Sequence, residues 1–260
     1  MTNMMMTIKE ELLRLEKEEH IKIVYACESG SRAWGFPSRD SDYDVRFIYI
    51  HPVDWYLSIF EKRDVIERPI SDRLDISGWD LRKTLNLFRK SNPPLMEWLG
   101  SPIRYLEAHD TAERLRRLSE QAFSPKASIY HYLHMARGNY RTYLQGDSVR
   151  IKKYFYVLRP ILACEWILKY GAMPPMEFDI LVERLVPEDS KLRAIIEELL
   201  ERKKAGEELD YEPKLAVVND YIERSLVSLE QSAAQMPPAK TDIDDKLDDL
   251  FRSSLREVWM

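Results

Sequence analysis

The chain is short of several residue types, and each shortage excludes something. Two cysteines in 260 residues, Cys27 and Cys164, are too few for a disulfide-stapled scaffold. Both fall in apolar stretches and read as inert core thiols of a reducing compartment. Eight glycines and 14 prolines without a period exclude collagen-like and low-complexity chains. Long apolar runs are also missing. The most apolar stretch, near Val157 to Leu168, is broken by Arg159, Pro160 and Glu165, well short of the ~20 residues of a membrane span. The first ten residues carry no basic flank leading into an apolar core, so no secretory signal is expected and a cytoplasmic location is. Nor is there a basic excess: 39 Lys and Arg stand against 44 Asp and Glu, a net charge of −5. What is present, 45% hydrophobic and 11% aromatic residues, is ample for one or two cores.

Along the chain, Ile8 to Glu18 repeats at helical spacing, and Ile21 to Cys27 is a β-branched run of strand type. Gly30, Gly35 and Pro37 break the pattern before Tyr43 to Ile50 resumes it as a second strand. Arg73 to Ser77 reads as a third extended piece, followed by a helix from Leu81 to Lys90 that Asn92-Pro93-Pro94 closes. From about Glu107 the period is helical. Helices are expected over Glu107–Gln121, Pro125–Gln145, Val149–Tyr170, Met176–Leu185, Asp189–Lys204, Pro213–Gln231 and Asp242–Val258, with a short linker at Gln235 to Thr241.

Chemistry concentrates in Ser29-Gly30-Ser31-Arg32-Ala33-Trp34-Gly35-Phe36-Pro37-Ser38-Arg39-Asp40-Ser41-Asp42-Tyr43-Asp44-Val45-Arg46. Side chains alternate faces along a strand, so Asp42 and Asp44 share one face and Tyr43 and Val45 the other. Two carboxylates a few ångströms apart repel, unless a cation lies between them. Hard oxygen donors favour magnesium, or manganese in its place, and magnesium is commonly held by one or two carboxylates plus substrate phosphates. Gly30-Ser31, where the first strand gives way to an expected short helix, offers backbone N–H groups and a hydroxyl for a phosphate. Asp40-x-Asp42-x-Asp44 also opens like a calcium loop, but Val45 stands where that loop needs glycine and His51 where it needs glutamate. An Asp-x-Asp of the glycosyltransferase kind follows several βα units, whereas one strand precedes this pair. The five histidines show no zinc spacing.

Gly-Ser followed by an acid-apolar-acid strand resembles the active-site signature of the DNA polymerase β nucleotidyltransferase superfamily. Gly30 to Phe36 with Ser41 to Arg46 is similar, more narrowly, to the RNA-ligase-associated phage nucleotidyltransferase family, as are Asp75 to Lys83 and Ser91-Asn92-Pro93. The resemblance implies metal-dependent transfer of a nucleoside monophosphate from a nucleoside triphosphate to a hydroxyl acceptor. It does not name the acceptor; RNA is one candidate. The expected fold class is α+β: a small mixed-sheet, polymerase β-like catalytic domain over residues 1–106, then an all-helical substrate-binding domain over 107–260, with the active cleft between them.

In that scheme Asp42, Asp44 and Asp75 are the expected metal ligands and catalytic carboxylates, with Asp80 as a rival to Asp75 that a helix cap explains equally well. Gly30, Ser31 and Arg32 are expected at the phosphates, and Arg39 and Arg46 are nearby cations. Between Lys126 and Arg159 seven cations face one acid, Asp147. Tyr130, His134, Arg137 and Arg141 can share a helix face, as can Lys152, Tyr156 and Arg159. Lys83, Lys153, Tyr156 and Arg159 are the further nucleotide-binding candidates. A second expectation, of another class, is a nucleotidyltransferase-like antitoxin or a nucleotide- or RNA-binding module without catalysis.

Overall fold

The first helix, α1 (Thr2–Glu19), carries Ile8, Leu12 and Leu15 at three- and four-residue steps, and all three are buried against a sheet. The computed structural model describes residues 2–38, 41–69, 73–207, 209–237 and 242–260. After α1 come β1 (Lys22–Glu28), β2 (Tyr43–Ile50), α2 (Val53–Tyr56), β3 (Val65–Glu67), β4 (Leu74–Asp80), α3 (Leu81–Arg89), α4 (Pro93–Leu99), β5 (Arg104–Glu107) and α5 (Thr111–Ala122). The sheet order is β3-β4-β2-β1-β5, with β2 and β4 parallel and the other neighbours antiparallel. Alternation along β2 sends Val45, Phe47 and Tyr49 toward α1, in one core with Ile76 of β4. Asp44 and Arg46 therefore project from the opposite face.

The remaining elements are α6 (Pro125–Tyr143), β6 (Ser148–Arg150), α7 (Lys153–Tyr170), α8 (Phe178–Leu185), α9 (Lys191–Ala205), β7 (Tyr211–Pro213), α10 (Ala216–Gln235) and α11 (Asp244–Trp259). Helix α7 is apolar nearly all round, so it is buried at the centre of a helical core made chiefly with α6, α8 and α10. No helix among the described residues is long and apolar enough to cross a membrane.

The chain divides into two units: Met1–Ala33, Asp42–Ala122 and Thr241–Met260 in one, Trp34–Ser41 and Phe123–Lys240 in the other. The sequence division at residue 106 differs from this. Helix α5 packs on β1 and α4, and α11 packs on α3 and α5, so both helices group with the sheet. The signature loop is itself divided. Phe36 is 2% exposed and lies within the helical core, 4.9 Å from the Phe155 ring and 5.5 Å from that of Phe178. Other departures are local. Asn92-Pro93-Pro94 ends α3 and at once starts α4: the Asn92 side chain caps by accepting from the Leu95 N–H at 3.1 Å, and Pro93 fills the first turn. The stretch expected as one helix from Val149 to Tyr170 is split, because Ser148–Arg150 pairs with Tyr211–Pro213 in a two-stranded ribbon. Three residues are too few to show a strand period. Gly30 is followed by turns over residues 31–35 rather than the expected short helix. Part of the expected linker, residues 238–241, lies outside the described residues, as do Arg39 and Asp40.

Candidate active site

Asp44 and Asp75 are register partners on the parallel strands β2 and β4, and so project side by side. Asp42, two residues before Asp44, is exposed just ahead of β2. Arg46 sits two residues beyond Asp44 on the same face, with its Nη2 2.8 Å from Asp75 Oδ2 and 3.5 Å from Asp44 Oδ1. Its Nη1 donates to the carbonyls of Val45 and Asp75, each at 3.1 Å. One guanidinium thus draws two carboxylates together. Burial pushes the Asp44 carboxyl above its ordinary range; Arg46 opposes this, while Glu28, Asp75 and Asp42 add repulsion in the same direction as burial. Acidic charge still exceeds basic charge here.

The turn after β1 lies directly on Asp44. The Ser29 N–H donates to the Asp44 carbonyl at 2.9 Å. A Cβ on residue 30 would stand 1.6 Å from Asp44 Oδ2, so any side chain there would push the Asp44 carboxylate out of its place. Ser31 begins the turn, half-buried, and the Arg32 Nε donates to the Asp42 carbonyl at 3.1 Å while its guanidinium stacks 3.7 Å over the Tyr43 ring. Gly30, Ser31 and Arg32 are therefore assembled beside Asp42 and Asp44.

Beneath them lies a residue that the sequence did not single out. Glu28 closes β1 fully buried; its Oε1 accepts from the Asp44 N–H at 2.8 Å and from the Gly30 N–H at 3.4 Å, and its other oxygen accepts from the Tyr105 hydroxyl. The Ser101 hydroxyl holds the Glu28 carbonyl at 2.7 Å. A buried carboxylate needs such partners, and here they fix the Gly-Ser turn to Asp44. The available signal was an acid ending the apolar run Val24 to Cys27; its partners Ser101 and Tyr105 are remote in sequence.

Other candidates stand elsewhere. Asp80 is a helix cap, accepting from the Arg82 N–H at 2.8 Å and from the Tyr56 hydroxyl at 2.6 Å. It pairs in register with Tyr49, at the far end of the strands, roughly 16 Å from Asp75 at about 3.3 Å per residue. Lys83, one turn into α3, goes with it and binds Asp64 at 3.0 Å, so it is not brought to the carboxylates. In the second unit, Lys153 lies over the rings of Tyr143 and Tyr156 at 4.1 and 4.8 Å, and Tyr156 meets Trp34 edge-on at 5.7 Å. Arg159 is not on an exposed face: it is 3% exposed, 4.8 Å over the Trp34 ring, with its Nε donating to the Met176 carbonyl. Its place inside α7 explains this, since that helix is buried around almost its whole circumference. The expected Tyr130–Arg141 face is partly neutralised, because Arg137 is held by Glu230 on α10.

Among the described residues, no three His, Cys, Asp or Glu side chains form a ready-made metal cage. The donor chemistry nevertheless suits a divalent cation, since adjacent carboxylates completed by substrate phosphates are a common magnesium arrangement. A protein of Bacillus subtilis (strain 168), named only as the uncharacterized protein YcgL, is 57% identical over 252 residues, covering 97% of this chain and 96% of its own length. A crystal structure of a nucleotidyltransferase-like protein from Exiguobacterium sibiricum 255-15 matches at 14% identity and a TM-score of 0.29, over 87% of this chain and 74% of that one, a likeness too distant to bear on the site. Residues 4–253 match the model of the RNA repair pathway DNA polymerase beta family, and the chain belongs to that family.

Proposed function

We propose that this protein is a metal-dependent nucleotidyltransferase that moves a nucleoside monophosphate from a nucleoside triphosphate to a hydroxyl acceptor, releasing pyrophosphate. The observation that carries this reading is the register pairing of Asp44 with Asp75, under a turn whose glycine leaves the Asp44 carboxylate its place. Asp42, Asp44 and Asp75 would hold magnesium or manganese, which supplies charge neutralisation at the phosphates and a lowered pKa for the attacking hydroxyl. The backbone of Gly30, the hydroxyl of Ser31 and the side chain of Arg32 would contact the outer phosphates. The acceptor oxygen attacks the α-phosphorus, the bond to pyrophosphate breaks, and the hydroxyl proton passes to the Asp75 carboxylate. Glu28 acts from beneath by holding the Asp44 backbone and the Gly-Ser turn in place, which is the positioning that phosphoryl transfer depends on. The family description, with its RNA repair pathway, supports RNA as the acceptor.

The test is incubation with each α-labelled nucleoside triphosphate, magnesium or manganese, and total cell RNA. Label is expected on an RNA species with the parent protein and not with Asp44→Asn or Asp75→Asn. Transfer that survives both substitutions contradicts the assignment.

A further inference from the structure

The second unit carries a cationic corner that the proposed transfer chemistry does not use. Arg150, Lys152 and Lys203 line a hollow of about 280 Å³ together with Ser38, Glu207 and Asp210. Both acids of this hollow are engaged: Asp210 accepts from Arg150 at 3.2 Å, and Glu207 pairs with Arg202 at 2.7 Å. Lys152, Lys153 and Lys203 make no ion pair among the described residues. Lys152 acts on both of the others: burial and then the charge of Lys152 hold Lys203 below its ordinary range, and burial with Lys152 and Arg150 does the same to Lys153. Lysines crowded by like charge that keep no acid for themselves are built for an anion from outside.

Aromatic rings stand on the same corner. Lys153 bridges the rings of Tyr143 and Tyr156, which are 41% and 43% exposed, and Arg150 lies 5.5 Å from the ring of Tyr211, which is 65% exposed. Tyrosines of this kind are not core residues. Cations hold them in place, and enough of each ring stays open to meet a flat apolar partner. Lysines that track phosphates, interleaved with exposed rings on which bases stack, form the chemistry of a single-strand nucleic-acid groove. Duplex nucleic acid, with its bases already stacked, has no use for the rings.

We infer that Arg150, Lys152, Lys153 and Lys203 with Tyr143 and Tyr156 form a platform for single-stranded nucleic acid, the phosphates on the lysines and the bases on the tyrosines. This deepens the transfer reading, on which it rests for its purpose, by giving the acceptor strand a place to bind. Binding itself needs no chemistry.

The experiment is fluorescence anisotropy of the full-length protein with a labelled single-stranded RNA of about 12 nucleotides, the matching DNA, and the RNA duplex. The wild-type protein is expected to bind both single strands more tightly than the duplex; the RNA-to-DNA ratio then reports whether the sugar is read. K152A/K153A/K203A is expected to weaken binding at least about tenfold and to lower the salt slope by about 2, at roughly 0.7 for each phosphate that the lysines no longer neutralise. Tyr156→Ala is expected to cost about tenfold with the slope unchanged. A duplex bound as tightly as the single strands overturns the inference. So does a triple variant with wild-type circular dichroism and melting that keeps wild-type affinity, or complete displacement of the strand by free nucleoside triphosphate at micromolar concentration. Asp44→Asn protein should bind strands as the wild type does. Strand binding without transfer therefore defeats the transfer reading alone, and transfer without strand binding defeats this one alone.

Discussion

At the open end of the sheet, Asp44 and Asp75 come from neighbouring hydrogen-bonded strands, and Asp42, Gly30 and Ser31 come from the loop that joins β1 to β2. At the cationic corner of the second unit, Arg150, Lys152 and Lys153 come from a ribbon and the start of α7, Lys203 from the end of α9, and Tyr143 from the end of α6. The acidic site is local in sequence apart from Asp75, and its residue types announce their chemistry. The basic corner is assembled from ends of elements that meet only in the folded chain. The two regions also differ in tolerance. The acidic site is wedged, with a glycine pressed against a carboxylate and a buried glutamate beneath; the basic corner consists of half-exposed and exposed side chains.

That difference can be broken or sharpened in several ways. The largest effect is expected from Asp44→Asn and Asp75→Asn: under the proposed metal-dependent transfer, loss of either carboxylate is worth several kcal/mol in the transition state, about a thousandfold in transfer rate, measured with labelled nucleoside triphosphate. Phe36→Ala should destabilise by about 3–5 kcal/mol in urea melts, because it empties a fully packed place in the helical core. Glu28→Ala leaves the buried Asp44 N–H without its acceptor and should cost about 1–3 kcal/mol, with Glu28→Gln recovering part of it. Lys83→Ala, at the far end of the strands and held there by Asp64, should change transfer less than about twofold, because its charge does not reach the carboxylates.

Two groups, one in each unit, carry pH dependences of opposite sign. His51 in the first unit, half-buried and stacked on Trp55 with Lys62 and His20 nearby, has its pKa lowered to about 4, chiefly by burial. The unfolded chain then binds the extra proton between about 6.5 and 4, so stability is lost as pH falls through that window. Glu165 in the second unit is raised by burial, against hydrogen bonds from Tyr221 and Ser225. There the folded chain keeps the proton longer, so stability is lost as pH rises above the ordinary glutamate range. His51→Phe should flatten the acid side of the Tm profile, and Glu165→Gln should raise Tm near neutrality relative to about pH 4.5, each by a few degrees at most. Profiles that move in the same direction would contradict these assignments.

Much of the first unit was legible because its signals are local: the β-branched runs of β1 and β2, the breaking residues between them, and Asp44 on the strand face opposite Val45, although Asp42 lies just ahead of the strand. Asp75 was reachable because it alternates with Leu74 and Ile76, yet its pairing with Asp44 is a fact of register that no single segment holds. Glu28 was hidden because its role depends on Tyr105 and Ser101. Strands β3, β6 and β7 were hidden by length, at three residues each. Helix α4 was hidden because Asn-Pro-Pro ends one helix as readily as it caps the next. The grouping of α5 and α11 with the sheet is a matter of packing partners, to which helical periodicity is blind.

The most direct measurement is anomalous scattering from crystals of the full chain soaked with manganese and a non-hydrolysable nucleoside triphosphate. A manganese peak bound by Asp44 and Asp75, with Arg46 turned away from one or both carboxylates, is the expected result. Density for the nucleotide with no metal at those carboxylates, and Arg46 still joining them, would contradict it.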